Sequence, residues 1–270
     1  MPELAEVEYY RRRWDPGLGA QVLSVRLQGE RRIFRGVDTE RLGKVLRRAT
    51  LVESWAHGKW MLFHFAGPKR RQAWVGLHLG MTGELRCEPK DFKAGKHDHF
   101  VLIQKDRALV FLDPRQFGRV TFQEGAGVPE WWERLPPAIS SREFTVRRVE
   151  EFLRRRRGGP IKAVLLMQDA FPGIGNWMAD EVLWRARIHP SVKAGDAIGQ
   201  VSRLWKELRW VTGEAVRIVG KDFSDPPKSW LFRHRWRAGG KCPRDGRALS
   251  RAMVGGRTTV WCPKCQSTTK

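Results

Sequence analysis

Residues 171–181, Phe-Pro-Gly-Ile-Gly-Asn-Trp-Met-Ala-Asp-Glu, lie between two segments of helical periodicity and are the most informative stretch of this chain. Gly173 and Gly175 allow the backbone to turn tightly and to approach another surface closely. Asn176 stands where the following helix begins, so amide groups there can meet an anion such as a phosphate. The stretch therefore indicates either a helix-hairpin element that binds a phosphate backbone or an ordinary helix-capping turn.

The region around this stretch is predicted to be helical, because apolar residues recur at helical spacing on both sides of it. Ser140 or Ser141 occupies the position of a helix cap. A stretch bearing glycine and proline, residues 124–137, precedes this cap and marks a domain boundary. The predicted helices cover residues 146–156, 161–167, 177–187 and 198–219.

The first half of the chain has a different pattern, in which short apolar segments alternate with polar or glycine-bearing turns. Closely spaced segments of this kind predict an antiparallel β-sandwich or barrel. A helix over residues 5–13, ended by Pro16 and Gly17, comes before them. The predicted strands cover residues 60–65, 73–79, 100–103, 108–112 and 120–122.

The charge of the chain is strongly unbalanced, since 51 Lys and Arg against 29 Asp and Glu leave a net charge of +22. Such an excess favours a polyanionic partner, and nucleic acid is the commonest one. A membrane-surface protein or a merely highly charged surface are the alternatives. No apolar run is long enough to span a bilayer and no secretory or transit signal is visible, so we expect a cytoplasmic protein.

Three cysteines and one aspartate near the C-terminus have the spacing of a zinc ribbon, except that Asp245 stands where a second cysteine is usual. Aspartate can bind zinc through oxygen, so one structural zinc ion is predicted, and a hairpin held by packing is the alternative. In either case Arg257 follows a tight Gly-Gly turn and suits bidentate phosphate contact. The predicted ligands are Cys242, Asp245, Cys262 and Cys265.

The N-terminus reads Met1-Pro2-Glu3, and methionine is commonly removed before a small residue such as proline. Removal leaves a secondary α-amine, whose pKa is far below that of lysine, so part of it is neutral near pH 7. Such an amine can attack a sugar carbon and form an iminium, with Glu3 as general acid or base. In isolation an ordinary N-terminus is the more economical interpretation.

Taken together, these motifs resemble one family, the formamidopyrimidine-DNA glycosylase and endonuclease VIII group, over nearly the whole chain. The resemblance also includes Gly58-Lys59 and two longer motifs. The first is His78-Leu-Gly-Met-Thr-Gly83, and the second is Asp113-Pro-Arg-Gln-Phe-Gly118. The motifs at Asp113 and Gly173 are the most specific. Ala5 replaces a proline of the usual N-terminal pattern.

The resemblance implies base excision on double-stranded DNA that carries damaged bases or abasic sites. Pro2 attacks C1′, Glu3 protonates the sugar ring oxygen and β,δ-elimination follows; the catalytic set is Pro2, Glu3, Glu6 and Lys59. Phosphates are held by Lys59, His78, Asn176 and Arg257. Met81, Arg115 and Phe117 fill the gap left by a flipped base. Without the resemblance, His78 is better interpreted as a packed strand histidine, and Met81 and Phe117 as core.

The implied fold is a multidomain α+β protein, expected to act as a monomer associated with the nucleoid. It consists of a catalytic β-sandwich domain over 1–125, a linker over 126–140, a helical helix-two-turn-helix domain over 141–236 and a zinc-finger-like hairpin over 237–270. Residues 220–236 depart from the base-capping loop of members that excise oxidised guanine, so the preferred lesion stays open. The alternatives are a catalytically silent damaged-DNA-binding protein and a zinc-ribbon RNA-binding protein of ribosomal type.

Overall fold

The computed structural model describes residues 2–267, which divide into two compact units. The first unit consists of Pro2 and residues 6–135, and the second of residues 3–5 and everything from residue 136 onward. Antiparallel sheets in the first unit, and helices with a terminal hairpin in the second, confirm the predicted multidomain α+β fold. No helix among the described residues is long and apolar enough to cross a membrane.

The first unit is built from two four-stranded antiparallel sheets, with strand orders β1-β6-β7-β5 and β2-β3-β4-β8. Alternating side chains of the central strands point into its core, as Phe63 and Phe65 of β3 do. Trp14 is fully buried there, with its ring centroid 4.7 Å from that of Phe63. The strands are β1 (Ser24–Leu27), β2 (Thr50–His57), β3 (Trp60–Ala66), β4 (Gln72–His78), β5 (Glu84–Pro89), β6 (Asp98–Ile103), β7 (Arg107–Leu112) and β8 (Arg119–Glu124).

The second unit packs its helices around an apolar core to which Ala5, the residue that replaces a proline, also belongs. The hairpin of β9 and β10 follows these helices. The α-helices among residues 2–267 are α1 (Leu4–Arg12), α2 (Thr39–Leu46), α3 (Glu130–Glu133), α4 (Val146–Arg155), α5 (Ile161–Leu165), α6 (Asn176–Ala186) and α7 (Val201–Asp222), and the hairpin strands are β9 (Ser250–Val254) and β10 (Arg257–Trp261).

All five predicted strands and all five predicted helices are present, with ends that differ by a few residues. The sequence patterns missed the strands β1, β2 and β5 and the helices α2 and α3. In the three strands, charged residues on the exposed face hide the apolar alternation. The predicted cap of α4 at Ser140 or Ser141 is wrong. Thr145 caps that helix, and its Oγ1 accepts the N–H of Arg148 at 3.2 Å.

Candidate active site and nucleic-acid interface

The Glu3 carboxylate is bound by the first turn of α6 within the second unit. Its Oε2 accepts the N–H groups of Gly175 and Met178, each at 3.0 Å, and its Oε1 accepts the N–H of Trp177 at 2.9 Å. The side chain is almost fully buried. Backbone donors at a helix N-terminus favour an anion, and here a carboxylate of the chain itself takes the place that the sequence had suggested for a phosphate.

The glycines of residues 171–181 make this arrangement possible. A Cβ atom on Gly175 would lie 2.2 Å from Cδ of Glu3, so any larger residue there would displace the carboxylate. Gly173 has φ +85°, a conformation that favours glycine, and its carbonyl accepts the N–H of Leu4 at 3.0 Å. The predicted close approach of the backbone is therefore an approach to the N-terminal segment.

Asn176 links α6 to the C-terminal hairpin, because its Nδ2 donates to the carbonyl oxygen of Thr258 at 2.8 Å. Arg257, the neighbour of Thr258, is exposed at the tip of this hairpin. The turn before it has φ +59° at Gly255 and +74° at Gly256, as a tight Gly-Gly turn requires. Glu3, Asn176 and Arg257 are thus brought to one helix and the hairpin that it contacts.

A buried charge cluster, which the sequence patterns did not reveal, fixes the hairpin on α6. Asp180 accepts Lys162 Nζ at 2.5 Å, Arg235 Nη2 at 2.6 Å and the N–H of Val260 at 3.1 Å. Burial lowers the pKa of Lys162, although Asp180 opposes this shift. Removal of one partner from such a cluster leaves an uncompensated charge, so the cluster specifies one position of the hairpin.

In the first unit, His78 ends β4 as a neutral imidazole. Its Nδ1 accepts the N–H of Gly80 at 3.0 Å, which leaves Nε2 to carry the proton as a hydrogen-bond donor. Burial, together with the charges of Lys59 and Arg119, lowers the pKa of His78 to about 4. It lines a cavity of about 230 Å³ that also contains Arg32, Arg35, Trp60 and Phe117.

This lowered pKa predicts a defined contribution of His78 to acid sensitivity. The folded pKa of about 4 is below the ordinary 6.5, so the unfolded chain binds a proton first and the stabilisation is lost as pH falls between these values. We expect the free energy of unfolding in urea to drop between pH 7 and pH 4.5 by about 2 kcal/mol less in His78→Gln than in the wild type. An equal loss of unfolding free energy in the two proteins would contradict the lowered pKa of His78.

The two loops that carry Met81, Arg115 and Phe117 are packed together at the surface of the first unit. Buried Asp113 joins them, accepting the Gly118 N–H at 2.7 Å on Oδ2 and the hydroxyl of Thr82 at 3.1 Å on Oδ1. The side chains of the three named residues are exposed, Phe117 by 45% and Met81 by 36%, and the Arg115 guanidinium lies 4.8 Å from the Phe117 ring centroid. This exposure argues against core packing for these three side chains.

The remaining predicted catalytic residues of the first unit are half-buried. These are Pro2, Glu6 and Lys59. Burial and the Glu84 carboxylate raise the pKa of Tyr10, and Glu6 on α1 makes a smaller contribution to the same shift. Lys59 lies in the turn between β2 and β3 and acts electrostatically on His78. The first unit therefore places Lys59 near one of the other predicted phosphate-binding residues.

The predicted metal ligands converge in the second unit. The ligand atoms of Cys242, Asp245, Cys262 and Cys265 all lie within 4.8 Å of one another. Sγ of Cys242 and Sγ of Cys265 are 3.9 Å apart, and Sγ of Cys262 is 3.4 Å from Oδ2 of Asp245. Tetrahedral zinc with ordinary bond lengths separates two sulfurs by about 3.8 Å and a sulfur from an oxygen by about 3.5 Å. The cluster can therefore bind a metal ion.

Comparison with known proteins matches two family models. Residues 1–120 match the formamidopyrimidine-DNA glycosylase N-terminal domain, and residues 135–225 match the formamidopyrimidine-DNA glycosylase H2TH domain. Formamidopyrimidine-DNA glycosylases of Thermomicrobium roseum and Thermus thermophilus are each 35% identical to this chain, over 98% of its length and 99% and 98% of theirs. The chain belongs to the formamidopyrimidine-DNA glycosylase family.

Solved structures of this glycosylase family have the same fold. LlFpg in complex with a THF-DNA and an inhibitor superposes with a TM-score of 0.86 and 28% identity, covering 99% of this chain and all of the other. MutM in complex with DNA containing carbocyclic 8-oxo-G superposes with a TM-score of 0.87 and 29% identity, with the same coverage. The chain is thus a DNA-binding glycosylase that repairs damaged bases.

Two features important for this glycosylase site could not be found from motifs alone. Gly175 is needed because the Glu3 carboxylate fills the space that a side chain at position 175 would occupy. Asp180 is needed because it accepts a hydrogen bond from the hairpin. Both lie within residues 171–181, but their partners are distant in sequence, Glu3 by 172 residues and Val260 by 80. Two adjacent acidic residues, Asp180 and Glu181, in an otherwise apolar helix turn were the available signal for Asp180.

Proposed function

We propose that this chain is a bifunctional enzyme, a DNA glycosylase with AP lyase activity, whose nucleophile is the amine of Pro2 after removal of Met1. The observation that carries the proposal is the position of Glu3, the residue directly after Pro2 in the sequence. Three backbone N–H groups bind its carboxylate. A helix and a glycine that fix one carboxylate beside the N-terminus suit proton transfer at that terminus.

In the proposed reaction the lone pair of the Pro2 nitrogen attacks C1′ of the damaged nucleotide, and the bond from C1′ to the base breaks. The base leaves with the electron pair of its bond and takes up a proton from solvent, while the Glu3 carboxylate accepts the N–H proton of the attacking Pro2 nitrogen and passes it to the sugar ring oxygen. The ring opens to an iminium, which acidifies the protons at C2′. Loss of a C2′ proton expels the 3′ phosphate, and a second elimination expels the 5′ phosphate. Hydrolysis of the iminium regenerates the amine, and Glu6 supports these proton transfers.

We assign binding of the substrate to cationic and polar side chains and to an exposed wedge. Lys59, Asn176 and Arg257 bind phosphates, and neutral His78 contributes a hydrogen bond from Nε2. Met81, Arg115 and Phe117 enter the duplex where the base has left. The net charge of +22 supports a strong phosphate contribution. The solved relatives were bound to an abasic-site analogue, 8-oxoguanine and formamidopyrimidine DNA, so oxidised bases and abasic sites in duplex DNA are the proposed substrates.

Borohydride trapping tests the proposal against its alternative, a catalytically silent protein that only binds damaged DNA. The protein is incubated with a duplex containing one abasic site, borohydride is added, and the adduct is detected by its mobility in a denaturing gel. The proposal expects a covalent complex and cleavage of the strand. Intact binding without an adduct would assign the chain to the silent class.

We also propose that the protein acts as a monomer in the cytoplasm at the nucleoid.

We propose zinc as the metal of the cluster formed by Cys242, Asp245, Cys262 and Cys265. Three thiolates and one carboxylate suit zinc by softness and geometry, and the separations of the ligand atoms agree with tetrahedral coordination. Trp184 donates its Nε1–H to Sγ of Cys242 at 3.4 Å, as the outer contacts of structural zinc sites commonly do. The ion would stabilise the hairpin that carries Arg257 and would take no part in the chemistry.

Substitutions at Asp245 test this assignment. We expect Asp245→Cys to retain about one zinc per chain. We expect Asp245→Ala to lose zinc to a chelator at least about 100-fold more readily, because removal of a direct ligand lowers the metal affinity more than removal of an outer hydrogen bond does. Asp245→Asn is the matched control, since its side chain still accepts the Arg247 N–H seen at 3.1 Å but carries no charge. Zinc is measured by mass spectrometry after dialysis against the chelator. Equal zinc in wild type and Asp245→Ala would overturn the assignment.

A further inference from the structure

The segment that follows α7 surrounds a cavity of about 750 Å³ in the second unit. The segment departs in sequence from the base-capping loop implied by the family resemblance, and its Trp230 and Leu231 are buried. Because these two residues anchor it, the neighbouring side chains are held in place. The cavity is lined by Asp225, Phe232, Arg233, His234, Trp236 and Arg237, among others.

A series of aromatic rings leads from the proposed catalytic carboxylate to this cavity. Trp177, whose N–H donates to Glu3, has its ring edge-on to Phe232 with a centroid distance of 5.0 Å. Phe232 is in turn edge-on to Trp236 at 5.2 Å. Trp236 ends the series and is 56% exposed. An indole held by neighbouring rings and open to solvent is a ready surface for stacking another flat group.

The charges around the cavity are mostly positive. Asp225, its acidic residue, is paired with Arg233 at 3.1 Å, and Arg233 also donates to the carbonyl of Pro226. Arg235 is committed to buried Asp180, and its guanidinium lies 4.7 Å from the Trp236 ring centroid. Arg237 is exposed and has no ion-pair partner within the described residues 2–267. The cavity therefore offers an anion a cation that is not already neutralised.

We propose that this cavity binds one unpaired nucleotide, with its base stacked on Trp236 and its phosphate paired with Arg237. An aromatic ring beside an uncompensated arginine matches the two parts of a nucleotide, whereas a purely apolar ligand would leave the arginine charge without a partner. The site goes beyond the proposed excision reaction, because it would bind undamaged single-stranded DNA as well as a base extruded from a duplex.

Binding of labelled oligonucleotides by the full-length protein tests this site through fluorescence anisotropy. We expect Trp236→Ala to weaken binding of an oligothymidine about tenfold, since one stacked base is lost. Binding of an oligomer of abasic nucleotides, which has no bases to stack, is expected to be unchanged. Trp236→Phe should keep most of the affinity. Arg237→Ala should make log affinity depend less steeply on log salt, by the equivalent of about one phosphate contact, with both oligomers.

Trp210→Ala is the matched control, because Trp210 is a similarly exposed tryptophan of the same unit, at 44%, and does not line the cavity. A duplex with a damaged base, compared with a duplex with an abasic site, shows whether an extruded base also uses the site. A Trp236 effect that depends on the presence of bases in the single strand supports the proposal, and the same dependence in the duplex extends the site to an extruded base. Equal effects of Trp236→Ala and Trp210→Ala, or equal losses on oligothymidine and abasic oligomer, would overturn it. None of these binding outcomes depends on excision activity.

Discussion

We expect a variant with one leucine inserted between Met1 and Pro2 to form no borohydride adduct with abasic-site DNA, under conditions in which the unmodified chain is expected to form one. Methionine is not removed before a large residue, so the Pro2 nitrogen of this variant stays in a peptide bond. Its lone pair is then delocalised and is not nucleophilic. We expect strand cleavage to fall roughly 1000-fold or more, which is the order lost when a covalent nucleophile is removed.

The experiment is interpretable because DNA binding can be measured on the same variant. Mass spectrometry first establishes the N-terminus of both proteins, and binding of the abasic duplex is expected to remain. An adduct that persists in the inserted variant would show that another amine is the nucleophile. Peptide mapping of that adduct would then identify it, with Lys59 as the first candidate because it is the predicted phosphate-binding lysine of the first unit.

Glu3→Gln is expected to lower base excision by about 100- to 10,000-fold, the usual contribution of a positioned acid or base. A glutamine cannot deliver and recover the proton. Its amide also turns two donor hydrogens toward N–H groups of Gly175, Trp177 or Met178, where the carboxylate accepts three hydrogen bonds. Excision is measured by release of the damaged base in a single turnover, so that product release does not mask the chemical step.

Gly175→Ala tests whether the position of Glu3 matters as much as its presence. The added methyl group would lie 2.2 Å from Cδ of Glu3, so the carboxylate must move. We expect a loss of at least about 100-fold although Glu3 is retained. Glu8→Gln is the control, since Glu8 lies on α1, the helix that directly follows Glu3, but pairs with Arg11 at 2.9 Å, and excision should be unaffected. Wild-type activity in Gly175→Ala would contradict the role given to Glu3.

The metal cluster illustrates how far spacing alone could be used. Three cysteines and Asp245 were predicted as ligands because metal sites need several soft donors at short sequence intervals. The structure brings these four groups within 4.8 Å of one another. Such a cluster is local in sequence, since a hairpin joins its two halves, and local features are those that sequence patterns describe best.

Helix α6 illustrates the opposite case. The sequence predicted where it begins and that its first turn binds an anion, but the suggested anion was a phosphate. The observed anion is Glu3, which lies 172 residues away from Gly175 in the sequence. Periodicity and capping preferences act over a few residues, so they contain no information about which distant group will reach a given helix end.

The N-terminal Pro2-Glu3 pair, the cysteine spacing, the excess of positive charge and the order of the motifs are properties of the sequence, and they were sufficient to indicate the family and its fold class. The tertiary structure alone decided that Glu3 occupies the end of α6, that Asp180 fixes the hairpin of Arg257, and that Trp236 is exposed beside a cavity. The reason is physical. Residue chemistry and local periodicity are encoded along the chain, whereas burial and partnership depend on close packing between segments that are far apart in it.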